Sequence, residues 1–366
     1  MPCKAFAKVR PAVMKGERNI HMQERQGDQR RRAELSIQKK YRKPIWNKFV
    51  GGLRDYGMLC DGDRVAVCIS GGKDSMLLAK CMQLLQRFSP TRFELVNLVM
   101  DPGYSPENRA RIEENAALLG LPVTIVENQL FEAAASAEKS PCYLCARMRR
   151  GCLYKHARAL GCNKIALGHH FDDVIETVLM SMLYGAEMKT MMPKIHSTNF
   201  PGMELIRPLY LVREADIIAW ARYNDLEFLR CACRLTEGTA NGTMDSKRQE
   251  MKELIRALEQ TNPSAGQNIF HSFHNVNLGT LVGYRGDGGV HPFLEEYDRP
   301  GSPYWLTAQI CGQQGQDLRS ARPGPAVSTA RTCGQHGPRG SGEGMSTLRG
   351  AGQFGLAPKE HSQDKT

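Results

Sequence analysis

The sequence predicts an α/β fold: a doubly wound, mainly parallel sheet with flanking helices and disordered tails. First, short and continuously apolar runs recur along the chain, as is typical of strands with both faces covered. Second, stretches of helical periodicity separate these runs. Third, a Gly-Gly turn leads directly from the first apolar run into a helical stretch. Strand–helix–strand alternation at this spacing predicts parallel strands.

The elements are expected in the following order along the chain. An apolar helical pattern runs from about Ile37 to Tyr56. Strands are expected at residues 65–69, 93–100, 123–126 and 164–167. Ser105 followed by Pro106 is typical of a helix start and Gly120 of a helix end. Further helices are expected at residues 153–160, after Asp173, at 214–223 and at 246–260.

Composition divides the 366 residues into three parts. Residues 1–33 mix charges without a helix or strand period, and we expect a basic disordered extension. Residues 34–298 contain the predicted elements and form the expected folded domain. Gly and Pro make up 17 of the last 66 residues, so residues 299–366 are expected to be a disordered tail. The first 50 residues carry 14 Lys or Arg against 4 Asp or Glu, which favours an anionic partner such as RNA.

Composition also excludes some classes of protein. No run of 18 apolar residues is present, so no membrane-spanning helix is expected. The N-terminus lacks the apolar core of a secretory signal, and its arginines are mixed with acidic residues, unlike those of a transit peptide. Twelve cysteines without a secretory signal are typical of reduced thiols. We therefore expect a cytoplasmic protein, some of whose cysteines bind metal.

The turn after the first predicted strand has the composition of a phosphate-binding loop. It consists of Ser70, Gly71, Gly72, Lys73, Asp74 and Ser75. At the carboxyl end of a parallel strand, backbone amides and a helix N-terminus converge on any anion in the crevice. The glycines permit close approach, the serines offer hydroxyls, and Lys73 can meet phosphate oxygens. Asp74 is favoured at the helix start and can help to hold a cation.

This turn resembles the Ser-Gly-Gly-x-Asp-Ser motif of the PP-loop ATP pyrophosphatases. The resemblance implies cleavage of ATP between its α and β phosphates. A substrate oxygen becomes adenylated, and the loop holds the pyrophosphate that leaves. Lys73 and Asp74 are then candidate catalytic residues, and all six residues of the turn are candidate ATP-binding residues.

A second motif, Ala166 to Thr177, follows the fourth predicted strand. Asp172 is expected to cap the next helix, with Asp173 and Glu176 facing its positive end. Carboxylates at the mouth of an ATP site also suit Mg²⁺. The stretch resembles the Gly-His-x-x-Asp-Asp-x-x-Glu-Thr motif of PP-loop tRNA-modifying enzymes. The resemblance implies catalytic or Mg²⁺-binding roles for Asp172 and Asp173, and nucleotide contacts for Gly168 and His169.

Two pairs of cysteines are the candidate metal ligands. Cys142 and Cys145 form a Cys-x-x-Cys pair, and Cys231 and Cys233 follow some 90 residues later. Thiolates at such spacing select zinc or iron–sulfur clusters. From the chemistry alone, three arrangements are open: a four-cysteine zinc site, a redox disulfide, or a [4Fe–4S] cluster on three cysteines.

The order of these motifs over residues 38–240 resembles that of the tRNA 2-thiocytidine synthetase (TtcA-type) family, in a less characterised subgroup. The resemblance implies a [4Fe–4S] cluster held by Cys142, Cys145 and one cysteine of the late pair. In the best-known branch the late pair is Cys-x-x-Cys, whereas this chain has Cys-x-Cys. Either Cys231 or Cys233 can therefore be the third ligand, and zinc remains the alternative.

The resemblance implies an ATP-dependent tRNA sulfurtransferase that thiolates a pyrimidine, a cytidine in the named family. The implied partners are tRNA and a sulfur donor, either a cysteine desulfurase or sulfide, and a homodimer is possible. Two other functions stay open: a PP-loop amide-forming ligase without a cluster, and a non-catalytic, zinc-stabilised RNA- or nucleotide-binding protein. The basic residues expected to touch RNA are Lys39, Lys40, Arg42, Lys43, Arg147, Arg149, Arg150 and Arg207.

Overall fold

The structure, a computed structural model, describes residues 15–127, 141–229, 243–286 and 289–298. The helices are α1 Lys15–Gln38, α2 Lys48–Asp55, α3 Lys73–Phe88, α4 Pro106–Leu119, α5 Pro141–Ala159, α6 Phe171–Gly185, α7 Glu214–Tyr223, α8 Thr243–Thr261, α9 Ala265–Ser272 and α10 Phe293–Glu296. The strands are β1 Arg64–Ile69, β2 Glu94–Asp101, β3 Thr124–Glu127, β4 Lys164–Ala166, β5 Lys194–His196, β6 Glu204–Ile206, β7 Gly283–Gly286 and β8 Gly289–Pro292. Among the described helices, none is both long and apolar enough to span a membrane.

Six strands form one sheet in the order β3-β2-β1-β4-β6-β5. Every neighbouring pair is parallel except β5 and β6 at one edge. Strands β7 and β8 form a separate antiparallel pair. The mainly parallel sheet with flanking helices confirms the fold class predicted from the sequence. The two strands β5 and β6 were not predicted, because three residues carry too little alternation to be recognised.

The strand order reverses between β1 and β4. From β1 the chain passes through α3 to β2 and through α4 to β3, moving steadily outward, and it then returns past β1 to β4. Strands β1 and β4 are direct neighbours, with Val67 opposite Ala166. In open α/β sheets, ligands bind in the crevice at the carboxyl ends of strands where the order reverses. The fold therefore places a crevice at the carboxyl ends of β1 and β4.

Both faces of β1 are covered, which explains its continuous apolar sequence. Val65, Val67 and Ile69 lie in a core with buried residues of α2, α3, α4, α6 and α7. Ala66 and Cys68 lie in a second core, with buried residues of α5. Successive side chains of a strand point to opposite faces, so each core takes alternate residues.

Helix α4 has the ends that the sequence predicts. The Ser105 hydroxyl accepts a hydrogen bond from the Asn108 amide at 3.2 Å, and Pro106 occupies the first turn. The helix ends at Gly120, which has a φ of 62° in the left-handed region. The cap and the glycine satisfy backbone groups that a helix leaves unpaired at its ends.

The N-terminal helix departs from the sequence prediction. Residues 15–33, expected to be a disordered extension, lie in α1, which continues to Gln38. Ala33 and Ile37 are fully buried one turn apart, and Arg32 pairs with Asp225 at 2.9 Å. The two described buried apolar residues, Ala33 and Ile37, lie near the end of α1. The Arg32–Asp225 ion pair joins residues far apart in the sequence. Neither feature produces an apolar period in the sequence before residue 33. Residues 1–14 and 299–366, the remainder of both predicted tails, lie outside the described residues.

Helix α1 also supplies the partner of a buried lysine in α3. The Lys80 side chain is 0 % exposed, and its ammonium donates to Oε1 of Glu34 at 2.5 Å. It also donates to Oε1 of Gln83 at 2.8 Å and to the carbonyl of Leu119 at 2.7 Å. Burial lowers the pKa of Lys80, although the Glu34 carboxylate opposes this shift. This cluster joins α1 to α3 and α4.

We expect Glu34→Ala to lower the free energy of unfolding by about 3 kcal/mol, since it leaves a buried ammonium without its carboxylate. Urea unfolding followed by circular dichroism measures the change. The matched control is Glu113→Ala, which removes an exposed ion pair with Arg109 and is expected to cost at most about 0.5 kcal/mol. Equal, small effects of the two substitutions would contradict a stabilising role for the buried pair.

Candidate functional site

The Gly-Gly turn between β1 and α3 is held by contacts of its own residues. The φ of Gly71 is +85°, and a Cβ there would come within 2.7 Å of Cγ1 of Ile112, so only glycine fits. The Ser75 hydroxyl accepts a hydrogen bond from the Ser70 amide at 3.1 Å and donates to the Gly72 carbonyl at 2.9 Å. Because the first amides of a helix lack intrahelical partners, the N-terminus of α3 can bind an anion at this turn.

The turn after β4 packs directly on the Gly-Gly turn. A Cβ on Gly168 would lie 3.0 Å from the carbonyl carbon of Asp74 and 3.0 Å from the amide nitrogen of Ser75. The two turns are thus in backbone contact at the point where the strand order reverses. Glycine at this position is what allows the contact.

Helix α6 begins two residues earlier than the sequence suggests, and this corrects the predicted cap. His170, and not Asp172, is the N-cap, because helical residues start at Phe171. His170 Nδ1 accepts from the Asp173 amide at 3.4 Å, and the Asp173 carboxylate accepts from the His170 amide at 3.0 Å. These reciprocal hydrogen bonds fix Asp173 at the start of the helix.

Asp172 points to a different part of the molecule. Its Oδ2 accepts a hydrogen bond from the Glu214 amide at 2.6 Å, and its Oδ1 lies 3.1 Å from Nε of Arg213. Both carboxylate oxygens are therefore engaged at the start of α7.

A cavity of about 610 Å³ occupies the crevice between the two turns. This volume lies within the range of small-molecule binding sites. Six of the candidate site residues line the cavity: Ser70, Asp74, Ser75, Gly168, His169 and Asp173. The lining does not include Gly71, Gly72, Lys73 or Asp172. The structure thus brings together the serines and one aspartate of the first motif with three residues of the second.

The two aspartates of the cavity are suited to hold a positive charge. Oδ1 of Asp74 is buried and has no hydrogen-bond partner among the described residues. Burial opposes ionisation of Asp173, but His170, Arg248 and His169 outweigh it, so the pKa of this carboxyl lies below its ordinary value. The cavity therefore presents the Asp173 carboxylate together with an oxygen of Asp74 that accepts no hydrogen bond from the described residues and lies 3.8 Å from Nε2 of His170.

His169 is a buried neutral imidazole. Burial lowers its pKa to about 4, with further lowering by Arg207 and Arg248, although Asp173 opposes the shift. Its Nδ1 is buried without a hydrogen-bond partner among the described residues. At neutral pH this ring can donate or accept one hydrogen bond with a molecule in the cavity.

Lys73 is held by carboxylates and does not face the cavity. Its ammonium lies 3.1 Å from Oδ2 of Asp74 and 2.9 Å from Oε1 of Glu214. Oε2 of Glu214 in turn lies 3.1 Å from Nζ of Lys252 in α8. Burial would raise the pKa of Glu214, but the two lysines and His170 lower it to about 2. In this arrangement the charge of Lys73 is already compensated.

Three arginines, Arg150, Arg207 and Arg248, line the cavity instead. Nε of Arg207 is buried without a hydrogen-bond partner among the described residues, and burial lowers the pKa of this side chain to about 10. The sequence predicted RNA contacts for Arg150 and Arg207 and assigned no role to Arg248. Arg248 lies outside the motifs of the two turns and the cysteine pairs, and no local signal in the sequence marks it.

The candidate metal ligands are described only in part. Cys142 and Cys145 lie in the first turns of α5, three residues apart, and positions at that spacing share one face of a helix. The same helix lines the cavity through Arg150 and Leu153. Cys231 and Cys233 lie outside the described residues, as does any metal site that they complete. Within the described side chains, no group of three metal-binding residues is found.

Leu229, the last described residue before the late cysteine pair, contacts the Gly-Gly turn. The Leu229 amide donates a hydrogen bond to the Gly71 carbonyl at 3.3 Å. A Cβ on Gly71 would also lie 2.9 Å from Cδ1 of Leu229. Leu229 precedes Cys231 by two residues.

Comparison with known protein families identifies the family of the folded domain. The PP-loop domain family matches residues 35–233, which is more than half of the chain. The chain belongs to the PP-loop family. The Gly-Gly turn lies within the matched residues and is called the PP-loop below, after its motif; the cavity lies directly against it.

Similar curated proteins refine the assignment within the PP-loop family. A tRNA-cytidine(32) 2-sulfurtransferase of Citrifermentans bemidjiense is 35 % identical over 237 residues, which are 64 % of this chain and 90 % of that protein. The enzyme of the same name from Chromohalobacter salexigens is 37 % identical over 248 residues, 66 % of this chain and 82 % of that protein. This identity over most of the relatives' length places the chain in their family and confirms the resemblance predicted from the motifs.

A solved PP-loop structure supports the fold. The U34-tRNA thiolase NcsA from Methanococcus maripaludis, determined with its [4Fe-4S] cluster, aligns with a TM-score of 0.51 and 20 % identity. The alignment covers 63 % of this chain and 77 % of that protein. At this identity the similarity concerns the fold alone.

Proposed function

We propose that this protein is an ATP-dependent tRNA sulfurtransferase that replaces the 2-oxygen of a cytidine by sulfur. The observation that carries the proposal is the match to tRNA-cytidine(32) 2-sulfurtransferases over 90 % of the length of a relative. The PP-loop, the cavity beside it and the two cysteine pairs supply the parts that this chemistry needs. Cytidine 32 is the substrate that the relatives' name gives, and we propose it here.

ATP binds in the cavity with its phosphates on the PP-loop. The N-terminus of α3 and the glycine turn offer backbone amides, and Ser70 and Ser75 line the same space. The neutral imidazole of His169 and the side chain of Arg207 face the nucleotide from the other strands. In the resting arrangement Lys73 pairs with Asp74 and Glu214 and is not part of the cavity lining, so a direct contact with phosphate requires its side chain to move.

We expect Gly168→Ala to weaken ATP binding roughly tenfold or more, because the new methyl group would overlap the backbone of Asp74 and Ser75 in the PP-loop. Isothermal titration with ATP measures the change in affinity. Gly185→Ala is the matched control, since a Cβ on Gly185 meets nothing within 4 Å. If both variants bind ATP as tightly as the wild type, the contact between the two turns is not needed for the site.

Mg²⁺ joins the nucleotide through Asp74 and Asp173. Both aspartates line the cavity, and Oδ1 of Asp74 lacks a partner among the described residues. Mg²⁺ is usually held by one or two carboxylates together with substrate phosphates and water, so two aspartates are enough. Asp172 was predicted from its motif for the same role; its two oxygens are engaged by Arg213 and the Glu214 amide, and its part in the reaction stays a prediction.

Cys142, Cys145 and either Cys231 or Cys233 hold a [4Fe–4S] cluster. Two observations support this: the first pair shares a face of α5, a helix that lines the cavity, and the chain reaches the PP-loop at Leu229, two residues before Cys231. A [4Fe–4S] cluster on three cysteines would leave one iron open to a further ligand, and that iron would hold the sulfide that is transferred to the base. Zinc bound by all four cysteines is the alternative.

In the proposed reaction, the carbonyl oxygen of the base attacks the α-phosphorus of ATP and the bond to the β-phosphate breaks. The PP-loop amides and nearby cations stabilise the departing pyrophosphate, and Mg²⁺ held by Asp74 and Asp173 would offset the charge that develops. Sulfide then forms a bond to C2 of the adenylated base, and AMP leaves with the original oxygen. The target base reaches the cavity unstacked, as bases of RNA loops can be.

The tRNA backbone contacts the basic surface of α1 and the residues that follow it. A groove of about 360 Å³ is lined there by Arg31, Arg32, Lys39, Lys40 and Tyr223, among others. The Lys40 ammonium lies 3.7 Å from the centre of the Tyr223 ring. A surface of this charge and form suits phosphates and a stacked base. The sulfur donor, the homodimer and the cytoplasmic location remain predictions from the sequence.

The test is a single-turnover reaction with protein purified without oxygen, in vitro transcribed tRNA, Mg²⁺, ATP and sulfide. Mass spectrometry of the digested tRNA is expected to show 2-thiocytidine, with AMP and pyrophosphate formed in equal amounts. A tRNA with uridine in place of cytidine 32 is the control for the site. ATP cleavage with an amine joined to its acceptor would favour the ligase, and ATP binding without cleavage would favour a binding protein.

A further inference from the structure

Helix α8 brings a cation to the cavity from outside the region matched by the PP-loop family. The match ends at residue 233, whereas α8 begins at Thr243. Arg248, in the second turn of α8, lines the cavity together with Ser70, Asp74 and Asp173. The cavity wall of this chain therefore includes a residue that the matched region does not contain.

Two carboxylates of α6 hold the Arg248 guanidinium in place. Its Nε donates to Oε2 of Glu176 at 2.8 Å, and its Nη2 lies 3.5 Å from Oδ1 of Asp173. The Glu176 side chain is only 1 % exposed, so this carboxylate is almost wholly removed from water. A guanidinium has five N–H donors in a rigid fork, and two carboxylate contacts do not use all of them. The carboxylates of Glu176 and Asp173 thus hold one edge of the Arg248 guanidinium, and its remaining N–H groups can donate hydrogen bonds to a ligand.

Arg248 is the arginine of the cavity lining that pairs with Asp173, one of the two aspartates close to the expected phosphates of ATP. The phosphate chain of ATP would lie near the carboxyl groups of Asp74 and Asp173, which repel it. Lys73 is paired with Asp74 and Glu214 and is absent from the cavity lining. Arg248 lies against Asp173, is 38 % exposed, and faces the same space. Charge-assisted hydrogen bonds from an arginine to phosphate would offset that repulsion.

We propose that Arg248 is a nucleotide-binding residue whose guanidinium donates to the phosphate chain of ATP, and that the buried Glu176 positions it. This inference rests on the ATP site of the proposed function and adds a residue to it. Glu176 then acts through Arg248 and touches neither ATP nor the metal. The glutamate of the second motif thereby acquires a physical role, which is to anchor α8 against α6.

The test measures the affinities of the full-length protein for ATP and for adenosine by isothermal titration, in the absence of tRNA. Arg248→Met is expected to weaken ATP binding roughly tenfold or more, since it removes hydrogen bonds to charged groups. Adenosine binding is expected to stay unchanged, because adenosine has no phosphate. The matched control is Arg256→Met, which changes an exposed arginine of the same helix that lines a different, smaller cavity.

Two further variants separate contact from positioning. Arg248→Lys keeps the charge without the fork and is expected to recover part of the lost ATP affinity. Glu176→Gln keeps the shape of the anchor but not its charge, and is expected to weaken ATP binding less than Arg248→Met does. Thermal unfolding of each variant shows whether it is folded.

The proposal is overturned if Arg248→Met binds ATP as the wild type does, or if ATP and adenosine lose affinity equally, which would indicate a structural role for the helix alone. The proposed function is tested separately by the wild type. If the wild type binds no ATP, the ATP site and this inference fail together. If the wild type binds ATP and Arg248→Met does so equally well, only the inference fails.

Discussion

Replacing Cys142 by alanine is expected to abolish thiolation of tRNA while leaving ATP binding intact. The proposed cluster rests on three thiolates, and loss of one leaves too few to hold it. The PP-loop and its aspartates lie on other elements, β1, α3 and α6, so the nucleotide site does not depend on this thiol. The variant thus separates the two halves of the proposed reaction.

The measurement compares iron, acid-labile sulfide and zinc in wild type and variant, both purified without oxygen. The wild type is expected to contain about four irons and four sulfides per chain, and the variant to lose both. Cys152→Ala is the matched control: Cys152 lies on the same helix, packs against the second core and is expected to leave the iron content unchanged. About one zinc per chain without sulfide, in a preparation competent for cluster loading, would contradict the cluster and favour the structural zinc site.

Asp173→Asn is expected to lower the rate of ATP cleavage on the order of a thousandfold, because a bound metal ion contributes several kcal/mol to stabilising a phosphoryl transition state. Asp173 lines the cavity, its pKa lies below the ordinary value, and it is fixed by the His170 amide. Removing its charge leaves Asp74 as the remaining aspartate of the cavity wall. Pyrophosphate release in the presence of tRNA, measured over a range of Mg²⁺ concentrations, gives the rate and the metal requirement.

Comparing Asp173→Asn with Asp172→Asn shows which of the two neighbouring aspartates is needed for ATP cleavage. Asp172 is engaged by Arg213 and by the Glu214 amide, away from the cavity lining. Its substitution is expected to lower the thermal stability of the protein and to preserve most of the cleavage rate. Equal losses of activity in the two variants would instead give Asp172 the catalytic role predicted from the sequence motif.

The parts of the fold that the sequence predicted are those with local signals. Strands β1 to β4 are apolar runs of the kind that a covered parallel sheet requires, and α4 has Ser105 at one end and Gly120 at the other. Helix α1 was missed because a buried ion pair from Glu34 to Lys80 and a polar contact from Arg32 help to hold it. Such pairings join residues far apart in the sequence and leave no period to detect.

In the candidate site, too, the features with a local sequence signal were predicted and those that depend on packing were not. The PP-loop is a run of six consecutive residues, so its chemistry could be recognised from one segment. The cap of α6 was misassigned, because the helix starts two residues earlier than predicted and histidine is not among the residues preferred as caps. The pairing of Lys73 with Glu214 and the arrival of Arg248 from α8 depend on which elements pack together. That information appears only once the helices are placed on the sheet.

The buried ammonium of Lys80 also bears on where this domain can be cut for expression. The region matched by the PP-loop family begins at residue 35, one residue after Glu34, and ends before Arg248. A chain trimmed to residues 35–233 would lose the carboxylate that pairs with Lys80 and would lack Arg248 in the cavity wall. A boundary drawn from family similarity alone is therefore expected to give a less stable fragment, and a trimmed chain should keep α1, α8 and α9, whose Phe270 lies in the main core.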